Sequence, residues 1–82
     1  MDQPFAVNGH RADWAAAALD AFRDRVGLEG EEPSLILQDL LTDLMHWSAR
    51  TSVDFGAAMQ KARSVYAEEC REENEEVKEW SL

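Results

Sequence analysis

Leu35-Ile36-Leu37-Gln38-Asp39-Leu40-Leu41-Thr42-Asp43-Leu44-Met45-His46-Trp47 is the stretch whose reading decides how this chain folds. Ile36, Leu37, Leu40, Leu41, Leu44, Met45 and Trp47 recur at intervals of three and four, the period of an α-helix with one wide apolar face. The opposite face carries Asp39, Asp43, His46 and Arg50, ordered acidic to basic as the helix macrodipole prefers. Ser34 is placed to cap this helix, and a short polar break over residues 50–53 is expected to end it.

The same period appears on both sides of this central helix. Toward the N-terminus, residues 27–33 hold two glycines, three glutamates and Pro33, the composition of a connector. Before it, Trp14, Ala15, Ala18, Leu19, Phe22 and Val26 form one stripe of a helix expected over residues 10–26, with Asn8 as its cap and Gly27 as its stop. Residues 1–9 show no period and read as a loose lead-in, with Phe5 and Val7 against the body.

Toward the C-terminus, Asp54 is placed to cap a third helix starting at Phe55, with Val53 as an apolar staple. Phe55, Ala58, Met59, Ala62, Val65, Tyr66 and Cys70 continue the stripe. From Glu68 to Glu79 the chain holds seven glutamates against Arg71 and Lys78, a local net charge of −5. Val77 and Trp80 extend the stripe, but Glu69 and Glu73 interrupt it, so the last turns are expected to project or fray.

Three such helices and no strand pattern predict an all-α fold: a small three-helix bundle forming one domain over residues 1–82. The second and third helices make an antiparallel hairpin, the first closes the third side, and residues 68–82 form an acidic extension. The three tryptophans and the wide central face exceed what a core of this size needs, which makes self-association an expectation.

With 82 residues and 9.3 kDa, the chain has no room for a cofactor-binding domain beside a substrate domain. The net charge of −9 disfavours direct contact with nucleic acid or anionic lipid and points to basic partners. Cys70 is the single cysteine, and the longest uninterrupted apolar run, residues 15–19, is far shorter than the roughly 20 residues of a membrane span. A cytoplasmic protein is the expectation. His10, His46 and Cys70 lie on different elements without ligand spacing for zinc, and the four glycines are isolated, so no cofactor is expected.

A longer match covers residues 35–69, through Asp39-Leu-Leu-Thr-Asp43-Leu-Met-His46-Trp47, then Val53-Asp54-Phe55, Ala58, Ala62-Arg63 and Tyr66-Ala67-Glu68. It resembles short, largely uncharacterised acidic helical proteins of bacterial plasmids, prophages and integrative elements. These share an Asp-Leu-(Leu/Ile)-x-Asp-Leu-x-His stretch and a later Asp-Phe. The resemblance implies a helical fold and a mobile-element setting, and it supplies no catalytic residue. Likeness to the all-α nucleotide pyrophosphohydrolases of the MazG type is superficial. Asp39-x-x-x-Asp43 stands where that family has Glu-x-x-Glu, and Glu29 with Glu32 straddles a loop that ends in proline.

The functional expectation is a non-catalytic acidic module that docks on a basic protein surface, such as the nucleic-acid groove of a host defence complex, in the manner of a DNA-mimicking anti-CRISPR or anti-restriction inhibitor. Glu68, Glu69, Glu72, Glu73, Glu75, Glu76, Glu79 and Trp80, with Asp39 and Asp43, are the candidate partner-binding residues. The bland alternative for the glutamate run is a solvated, solubilising end. Two other classes compete. One is a dimeric metal-dependent phosphohydrolase using Asp39, Asp43, Glu31 and Glu32. The other is a small homodimeric antitoxin or adaptor anchored by Trp14, Trp47 or Trp80.

Overall fold

The computed structural model describes residues 7–81, with side chains from 9 to 72. Three helices follow in order: α1 (Val7–Val26), α2 (Pro33–Thr51) and α3 (Phe55–Ser81), each touching both others. No strand occurs among the described residues. The protein is an all-α, three-helix bundle.

α1 starts earlier than its apolar period suggests. Val7, Asn8 and Gly9 lie inside the helix, so Asn8 is not its cap; Phe5 falls outside the described residues. One turn in, the rings of His10 and Trp14 meet with centroids 6.4 Å apart, an i,i+4 pair that supports these first turns. The helix ends where expected. Gly27 takes a φ of +78°, and the N–H groups of Gly27 and Leu28 both donate to the Arg23 carbonyl, at 3.0 and 2.9 Å. The second of these bonds spans five residues, as in a Schellman stop.

Ser34 does not cap α2. Glu32 is the N-cap, with an extended ψ of 146° and no side-chain cap bond, and Pro33 occupies the first turn. Proline explains the difference: it holds the preceding residue extended and enters a helix at a position where no N–H is needed. At the other end Ser52 adopts a left-handed conformation (φ 60°, ψ 32°), and the Val53 N–H donates to the Ser48 carbonyl at 2.9 Å. The Thr51 hydroxyl closes the last turn by donating to the Trp47 carbonyl at 2.9 Å.

Asp54 caps α3 as its sequence position predicts, its Oδ1 accepting the Ala57 N–H at 2.9 Å. From there α3 runs 27 residues without a break, about 40 Å at 1.5 Å per residue. Val53, the expected staple, remains exposed. The Arg11 Nε lies 3.1 Å from Glu69 Oε2, so the start of α1 meets α3 about 21 Å along its axis. α1 therefore meets α3 partway along its length.

Burial departs most from the sequence-based expectation. Ile36 is the one buried apolar side chain among the described residues, and none is fully enclosed. Leu19, Phe22, Leu28, Leu35, Leu40, Leu41, Phe55, Met59 and Cys70 are half-buried. Trp14, Ala15, Ala18 and Val26 of the expected α1 stripe are exposed, as are Leu37, Leu44, Met45 and Trp47 of α2 and Ala58, Ala62, Val65 and Tyr66 of α3. The stripes exist, but three helices of this length and crossing do not close over them. Ser48 is the buried polar residue, and no buried side-chain nitrogen or oxygen among the described residues lacks a hydrogen-bond partner.

Candidate functional site

The candidate partner-binding residues fall on two helices. On α2, Asp43 is exposed and Asp39 half-buried, so the acidic face reaches solvent most fully at its second carboxylate. His46 and Arg50 follow on the same side of the helix and are exposed. Neither Asp39 nor Asp43 has an ion-pair partner among the described residues.

On α3, Glu68 and Glu72 are exposed and likewise form no ion pair among the described residues. Glu69 is half-buried and does a different job, holding α1 to α3 through Arg11. As a partly exposed pair it is worth about 0 to 1 kcal/mol. The side chains of Glu73, Glu75, Glu76, Glu79 and Trp80 lie outside those described, but the backbone at these positions is helical. A continuous helix puts positions 68, 72, 75 and 79 within one narrow stripe and position 76 beside it. The five glutamates of that stripe, at 68, 72, 75, 76 and 79, occupy about 16 Å of axis, one charge per about 3.3 Å.

Opposite signs meet more tightly at the end of α1. Arg23 binds Asp24 at 3.0 Å and Asp20 at 3.2 Å. The hydrogen bond to Asp24 leads in raising the Arg23 guanidinium above its ordinary pKa. This network sits in the last turns of α1, where a cation also answers the helix dipole. On α3, Tyr66 lies one turn before Cys70, and the neighbouring thiol raises the phenol above its usual range.

Among the described residues, no group of three or more His, Cys, Asp or Glu side chains converges on a point where a metal ion could sit. Glu31 and Glu32, invoked for the hydrolase alternative, precede α2 in the connector, and both are exposed. Among the described residues, no helix is long and apolar enough to cross a membrane.

Two features of the surface escape sequence reasoning. Ser48 sits inside the apolar arc of α2, between the directions of Leu37 and Leu41, so its angular position was the available signal for its burial. The Arg11–Glu69 tie joins residues 58 apart in the chain, and no local pattern announces it. No protein-family model, curated protein or solved structure matches the chain.

Proposed function

We propose that the protein is a non-catalytic, cytoplasmic, acidic protein-binding module encoded by a mobile element. It inhibits a basic nucleic-acid-binding complex of the host by occupying the groove that normally holds nucleic acid. The observation that carries this reading is the unbroken helix of α3 through the glutamate-rich stretch. A frayed tail would scatter its charges, whereas a helix holds their backbone positions at fixed intervals on one side. Five charges at 68, 72, 75, 76 and 79, one per about 3.3 Å of axis, compare with the one per about 3.4 Å along a single strand of duplex DNA, so a groove built for phosphates meets a comparable line of carboxylates. The exposed carboxylates of Glu68 and Glu72, without ion-pair partners among the described residues, support the same reading.

The test is competition. Reconstituted host defence complexes are mixed with the protein, and target-DNA binding is measured as salt rises from about 0.05 to about 0.5 M. Loss of DNA binding at low salt, relieved at high salt and abolished by charge reversal at Glu72, Glu73, Glu75 and Glu76, is expected. Unchanged DNA binding, or inhibition indifferent to those four reversals, contradicts the proposal.

A further inference from the structure

We draw no further inference here: the strongest candidate, the exposed patch of Ala62 and Tyr66 in the α3 stripe that is half-buried at Phe55 and Met59 before it and at Glu69 and Cys70 after it, is an unpartnered face, and nothing in the structure shows what covers it.

Discussion

Ser52 and Asp54, two residues apart between α2 and α3, pull on stability in opposite directions. Ser52 holds a φ of 60° that L-residues other than Asn and Asp rarely adopt, and Ser52→Gly is expected to stabilise by about 1 kcal/mol. Asp54 supplies the acceptor for the Ala57 N–H, and Asp54→Ala is expected to cost about 1 kcal/mol by leaving that donor to water. Urea titrations with an unchanged m-value check both; equal midpoints for the two variants would remove the capping argument. Tyr66 offers a second residue-scale check because it is the only tyrosine. The nearby Cys70 thiol makes the folded chain hold the phenolic proton more tightly than the unfolded chain does. That stabilisation is fully present below the unfolded tyrosine pKa of about 10 and is lost as pH rises through the higher folded value. A phenolate absorbance titration is expected to show a midpoint above that of the unfolded chain, falling back in Cys70→Ala. A midpoint insensitive to Cys70→Ala contradicts the pairing.

Within α2, burial separates residues that the sequence makes look alike. Ile36 is 8% exposed, so Ile36→Ala is expected to cost about 2 to 4 kcal/mol at any protein concentration. Leu37, adjacent but nearly half exposed, is expected to cost well under half as much. Denaturant midpoints at two concentrations check the pair, and equal costs for both residues contradict the burial pattern. This contrast marks how far the sequence could be read. Helix number, both connectors, the Gly27 stop and the Asp54 cap were legible, because each rests on a local rule about φ or a short side chain. The start of α2 was misread, since Ser34 is a good cap but Pro33 before it sets the backbone first. The start of α1 was misread because Asn8 and Gly9 favour ends, yet the His10–Trp14 pair just beyond lies on a helix that continues through them. Which members of a stripe are buried was not legible, for periodicity fixes a direction around the helix and leaves the crossing of neighbours unspecified. For the candidate site, Asp43, Glu68 and Glu72 are exposed as expected. The role of Glu69 as a tie to Arg11 depends on tertiary contact alone.

At the scale of the molecule, principal extents of 48 × 31 × 21 Å and a single buried apolar side chain among the described residues describe helices assembled around an unfinished core. A small chain of this kind has about 3 to 5 kcal/mol of stability to draw on at best, and removing part of its core from water by association adds to it. Its charge of −9 opposes association at long range, so added salt is expected to favour the pair of chains while weakening any contact with a basic partner. The two surfaces thereby respond to ionic strength with opposite signs, a difference that a single salt series of dimer mass and partner binding would display. The most direct measurement is thermal unfolding of the wild-type chain by circular dichroism over a hundredfold range of concentration. Association coupled to folding raises Tm by about 5 to 10 °C across that range. A sharp transition at one Tm, independent of concentration, contradicts the expectation that the exposed apolar surface draws chains together.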